Sequence, residues 1–322
     1  MKTIKVHKKI NKQILGLLIF IVGAIVVMSF VSENFLSATN MLNVLRQSVF
    51  VMLMGLGMTF VLTTGGVDLS VGVVLAISGA IFGTSLNSGL PIVIAMILGA
   101  LVAAGIGIGN GVLVSVLGLS PFIATLATVN IGRGIIYILT NALPIRNYVD
   151  RGTFSQFLGQ GSVGIIPFPI IIGVIMVIIL WIVFNKMRFG RHIVAVGSNL
   201  EAAKLSGINT RKIIIGAYGL CGFMAGLAGL IMASRLQSVQ PELGEGYELD
   251  AIAAALLGGT SLNGGKGNII GTFLGAFIIY LISNIINILN LDSDWEKVVK
   301  GIVILAVVAI EVIISKKHDE VD

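Results

Sequence analysis

Runs of apolar residues recur along almost the whole chain. Each is about long enough to cross the hydrocarbon core of a bilayer, and each is broken by a few polar, glycine or proline positions. The pattern predicts ten membrane-spanning helices, at 14–31, 43–64, 69–87, 91–117, 122–141, 165–184, 213–234, 249–263, 267–290 and 298–315. The third and eighth are short and glycine-rich and read as tilted or broken helices, which lipid tolerates only where protein covers the backbone. The longest polar interruption among the spans is Asn185–Lys212, which sets Lys186, Arg188, Arg191, Lys204, Arg211 and Lys212 against a single acid, Glu201. Lys and Arg are retained inside during insertion, so this loop is expected in the cytosol. Its middle, Glu201-Ala202-Ala203-Lys204-Leu205-Ser206-Gly207, reads as a short helix closed by glycine, a knob offered to a soluble partner.

Composition agrees with a chain that lives mostly in lipid. Of its 322 residues 56% are hydrophobic and 11% charged, whereas soluble domains carry about a quarter charged residues. No polar stretch is long enough for a separate soluble domain. Residues 1–322 therefore read as one all-α polytopic membrane domain, with a cytoplasmic N-terminal tail 1–13, a cytoplasmic loop 185–212 and a cytoplasmic C-terminal tail 316–322. Lys2, Lys5, Lys8, Lys9 and Lys12 precede an apolar run longer than a signal-peptide core, followed by no small-residue cleavage site, so the run is read as a retained first span.

With that start and ten spans, fourteen of the 21 basic residues fall inside and four, Arg146, Arg151, Arg235 and Lys297, fall outside. The outer segments also gather most of the acids. Dropping one span would strand one charged tail on the wrong side, which favours an even number. The net charge of +6 sits at span ends and in one loop, a membrane pattern and not a nucleic-acid one. Gly79/Gly83, Gly107/Gly111, Gly222/Gly226 and Gly271/Gly275 are small-xxx-small pairs, the spacing that lets helix backbones approach closely in lipid.

Nothing in the sequence assembles a catalytic set. His7, His192 and His318 lie far apart in polar segments, and the single Cys221 sits in an apolar run where it reads as a packing residue. The stretch ending Gly265-Lys266-Gly267 lacks the first glycine and the Ser/Thr of a phosphate loop, so any ATP that drives the protein binds another chain. Polar residues inside or beside spans are costly and mark candidate sites. Asp68 is either a path or gate residue or a helix N-cap. Arg133, with Asn130 nearby, is either a pathway residue or a clamp on helix carbonyls. Asn110, between two glycines, either joins helices by a hydrogen bond or lines a path. The outer stretch carrying Glu242, Glu245, Glu248 and Asp250 is either a solvated surface or a docking face for an extracytoplasmic protein.

Several long motifs carry a family resemblance. They are Leu62-Thr63-Thr64-Gly65-Gly66-Val67-Asp68-Leu69-Ser70-Val71-Gly72; Pro121-Phe122-Ile123-Ala124-Thr125-Leu126 with Arg133-Gly134; Gly190-Arg191 through Gly197-Ser198-Asn199 to Ala202-Ala203; and Gly246-Tyr247-Glu248-Leu249-Asp250-Ala251-Ile252-Ala253-Ala254 followed by Leu257-Gly258-Gly259-Thr260-Ser261-Leu262. In this order, over nearly the whole chain, they resemble the ribose-type permease subunits of bacterial ATP-binding-cassette sugar importers.

The resemblance implies a ten-helix fold similar to the cobalamin importer's, a homodimer in the bacterial inner membrane, a cytosolic ATPase that holds the ATP and Mg, and an extracytoplasmic sugar-binding protein. No cofactor is expected in this chain. Arg191, Glu201, Ala202, Ala203 and Gly207 look like the ATPase-coupling motif, although the chain lacks the proline that ends the longer form of that motif.

The implied activity is sugar import by alternating access, with ribose first and galactose, xylose, allose or a signalling sugar as alternatives. Rival readings are a relative carrying nucleosides or branched-chain amino acids, an ion-coupled secondary transporter, and a membrane-embedded enzyme.

Overall fold

The computed structural model describes residues 12–146 and 153–319. The lysines before residue 12, Asp150 and Arg151 lie outside the described residues, as do the side chains of Glu311, Lys316 and Lys317. The chain folds as α1 (Lys12–Val31), α2 (Ala38–Thr63), α3 (Val71–Asn87), α4 (Ile92–Ser115), α5 (Pro121–Thr140), α6 (Phe154–Gln160), α7 (Phe168–Lys186), α8 (Arg188–Ser198), α9 (Leu200–Leu205), α10 (Thr210–Leu236), α11 (Tyr247–Leu257), α12 (Ile269–Ile288) and α13 (Ser293–Asp319). Among the described residues four two-residue strands make two small antiparallel clips: β1 (Ile145–Arg146) on β4 (Ser238–Val239), and β2 (Ser162–Val163) on β3 (Ile166–Pro167).

Each predicted span contains one helix. Among the described residues seven, α1, α2, α4, α5, α7, α10 and α12, are long and apolar enough to cross a membrane, so the chain is an all-α polytopic membrane protein. The third span is a single unbroken helix of 17 residues. The eighth is broken: α11 is a helix of 11 residues, about 16 Å long, and it stops at Gly258. Its last carbonyls are met by the amides of Gly258, Gly259 and Thr260, and the chain continues as turns to Asn268. Asn268 then caps α12, accepting from the Gly271 amide at 3.1 Å. The sequence pattern missed α6, α8 and the strand clips.

The core forms around α2, which is buried along most of its length between α7, α10, α11 and α12. The outer faces of α1, α4, α5 and α7 present Ile, Leu, Val and Phe, as lipid requires. In lipid no hydrophobic effect drives helices together, so close backbone approach must do so. The glycine pairs supply it. Gly222 of α10 lies against the Ala103 carbonyl and Gly107 of α4, and Gly275 of α12 lies against the Ala254 carbonyl of α11. A side chain at Gly222 would wedge α4 from α10. Gly222→Leu should destabilise the protein by about 1–3 kcal/mol through overpacking, read as a lower thermal midpoint in detergent; an unchanged midpoint would contradict this packing.

α13 begins with polar turns and is held by charge. Lys300 Nζ lies 2.8 Å from Asp250 Oδ2 of α11 and 2.9 Å from Glu296 Oε1. Glu296 also accepts from the Ser283 hydroxyl of α12 at 2.7 Å. All three members are largely enclosed, so this triad ties α11, α12 and α13 together.

Candidate functional site

Two groups of candidate residues lie at opposite ends of the bundle, and the segment between α2 and α3 links them.

At the basic end stands the α8–α9 unit. α8 buries Ile193 and Val196 and turns Arg188 and Arg191 outward. Arg191 donates to the Lys186 carbonyl at 3.1 Å, closing the end of α7. Phe189 stacks on Phe60 of α2 at 6.2 Å, and Phe184 meets the same ring edge-on at 5.3 Å. Asn199 caps α9, accepting from the Ala202 amide at 2.9 Å. At the other end the Gly207 amide donates to the Lys204 carbonyl (2.9 Å) and the Ile208 amide to the Ala203 carbonyl (3.1 Å). This is a Schellman ending, and it needs the left-handed backbone that Gly207 adopts at φ +80°. Ala203 faces inward. Glu201, Ala202, Lys204 and Leu205 face out, with Leu205 90% exposed, and Glu201 and Lys204 pair at 2.7 Å. The predicted knob is thus a rigid, capped helical turn with an apolar tip.

Deep beside it lies the Asp68 turn. Ser70, not Asp68, stands at the N-cap position of α3. Asp68, 1% exposed, braces that position: its Oδ1 accepts from the Ser70 amide (2.9 Å) and hydroxyl (2.6 Å). Asn110 of α4 donates to the Ser70 hydroxyl at 2.9 Å and reaches Asp68 Oδ1 at 3.5 Å. The Thr128 hydroxyl of α5 donates to Asn110 Oδ1 at 2.6 Å. Tyr218 of α10 donates to the Val67 carbonyl at 3.1 Å. Asp68 Oδ2 is left without a hydroxyl or amide donor, and the Cys221 thiol lies close to the carboxyl. Burial pushes the Asp68 carboxyl above its ordinary range, and the bonds from Ser70 and Asn110 pull the other way. One turn thereby fastens four helices. Ser70, Thr128 and Tyr218 escaped the sequence reading, although a polar residue inside an apolar run was the signal.

Toward the acidic end, loop 237–246 does not spread over the surface but folds back into the bundle. Gly244 and Gly72, both buried, meet backbone to backbone with no room for a side chain. Arg133 Nη1 donates to the carbonyls of Pro241 and Leu243, the latter at 3.1 Å. One turn along α5, the Tyr137 hydroxyl donates to Glu242 at 2.8 Å. That bond holds the Glu242 carboxyl below its ordinary value. Glu245 is exposed and Glu248 half-buried over Gly72. Arg133, Glu242, Glu245 and Glu248 therefore form one neighbourhood. Asn130 stays on the exposed face of α5 with its amide turned to the Leu126 carbonyl, apart from the Asp68 network. Arg133 clamps carbonyls, as one of its two readings expects, but they belong to a loop and not to a helix.

This arrangement offers a contact knob, a buried polar brace and a polar face able to hydrogen-bond a hydroxyl-rich solute. The family described as branched-chain amino acid transport system / permease component matches residues 40–308. A ribose import permease protein of Bacillus subtilis is 43% identical over 92% of this chain and 91% of its own length. One of Escherichia coli is 40% identical over 94% and 93%. A D-allose transport system permease protein of Escherichia coli is 40% identical over 92% and 91%. No solved structure matches the chain at a significant level.

Proposed function

Because the chain belongs to the branched-chain amino acid transport system / permease component family, we propose that it is the membrane permease of an ATP-driven monosaccharide importer, with ribose as its cargo. The relatives named for ribose import, each covering more than nine-tenths of the chain, support that cargo. The relative named for D-allose supports a second reading, in which the cargo is a hexose. The observation that carries the transport mechanism is the capped α9 turn, which presents an exposed leucine at the basic end.

In this reading the basic end is cytosolic, and both termini lie there after ten crossings of the bacterial inner membrane. Two copies pair in a fold similar to the cobalamin importer's. A separate ATPase holds ATP and Mg and grips Glu201, Ala202, Lys204 and Leu205, with Arg191 beside them. A sugar-loaded binding protein docks at the acidic end near Glu242 and Glu245. An exposed amide and carboxylates beside an apolar helix are unfavourable against lipid, so Asn130, Arg133 and the Glu242–Glu248 loop border a watery path between the copies. Closure of the ATPase favours one permease state over the other, which is all that alternating access requires.

The test is reconstitution in proteoliposomes with the partner ATPase and binding protein. Labelled ribose should accumulate only with ATP and binding protein present, and excess D-allose should compete weakly. Uptake that persists without ATP and collapses with a proton uncoupler would sink the reading in favour of a secondary transporter.

A further inference from the structure

We propose that Gly197 and Gly72 are positioning residues at the two ends of a rod, residues 63–72, that carries movement of α8–α9 to the acidic loop 240–248. The proposal rests on the reading that an ATPase grips α9. α8 holds the last turn of α2 at two points. Phe189 stacks on Phe60, and Gly197 lies so close to the Thr63 carbonyl that any side chain would overlap it. The Gly265 amide donates to that same carbonyl at 2.9 Å. Gly264 in turn crowds the Gly197 carbonyl and the Gly65 amide. The end of α8, the end of α2 and the loop between α11 and α12 thus share one joint.

From this joint the chain runs to Ser70 through the Asp68 turn, which is pinned by Asn110 and Tyr218. It ends where Gly72 leans on the Gly244 backbone and the Glu248 carboxylate. Contacts made backbone to backbone cannot slide without overlap or void, so such elements switch together. Beside the joint lies a cleft of about 140 Å³, lined among others by Thr64, Gly65, Gly66, Val196, Leu200 and Tyr218.

Coupling is a free energy between sites, and it is what the experiment must read. The complete importer is reconstituted and the sugar imported per ATP hydrolysed is measured. Gly197→Ala and Gly72→Ala should each lower that ratio by about fivefold or more. The double variant should fall no further than the worse single, because both cut one rod. A wild-type ratio in either single variant, or a double effect equal to the product of the singles, overturns the proposal. Should Gly197→Ala not be recovered in the membrane, Thr63→Val reads the same joint. It removes the hydroxyl's bonds to the Thr59 and Lys266 carbonyls and should lower the ratio by about twofold or more; no change overturns the rod. A wild-type importer lacking ATP-dependent uptake would instead fail the parent reading.

Discussion

Leu205→Asp should weaken binding of the partner ATPase by about a hundredfold. Leu205 stands at the tip of a turn fixed at both ends, by Asn199 and by the Gly207 Schellman ending. Its side chain is almost wholly exposed, so the permease alone gains little from it. An apolar anchor on a rigid support loses little freedom on binding and contributes strongly when a partner pocket encloses it. Aspartate would place a buried charge in that pocket and add a second negative group beside Glu201. The variant should insert normally and keep its thermal midpoint, because Leu205 supports nothing within the chain. Titration of purified ATPase onto permease in nanodiscs measures the effect. Equal affinity for both proteins would move the grip away from α9.

Asp68→Ala should be the most damaging single polar deletion. It strips the acceptor from the Ser70 amide and hydroxyl and from Asn110, all buried where water cannot replace it. Leaving buried donors unpaired costs about 1–3 kcal/mol each, less whatever the hydroxyl recovers by rotating to another partner. Asp68→Asn retains an acceptor oxygen at the same place and should be markedly milder in thermal unfolding. Uptake should follow the same order, with wild type above Asn and Asn above Ala. Equal midpoints for the alanine and asparagine variants would show that the turn is not held by this oxygen.

What could be read from the sequence was local or periodic. The spans follow from runs of apolar residues, and the α9 knob from a short helix-forming stretch closed by Gly207; its Asn199 cap appears only in the structure. α8 was hidden because its charges outweighed the spacing of Phe189, Ile193 and Val196, which a helical reading of the basic loop would have placed on one face. The third and eighth spans look equally short and glycine-rich, yet one is a whole helix and the other stops at Gly258, because Gly259 adopts a left-handed backbone and the amides of Gly259 and Thr260 close the last turn on Leu256 and Ala255. For Arg133 the clamp was one of two readings, but its partners were out of reach, because the acceptor carbonyls lie more than a hundred residues away. Glu248 was read with Glu242 and Glu245 as a solvated or docking acid, because its sequence position does not show that the loop carrying it folds back over Gly72.

The Lys300–Asp250–Glu296 triad bears on how the chain is built in the cell. A translating ribosome delivers α13 after α11 and α12, and its leading turns carry charges that are costly against lipid. They become acceptable only once α11 has presented Asp250 and α12 has presented Ser283. α13 should therefore settle onto the bundle only after α11 and α12 have come together, which makes its docking a late step in assembly.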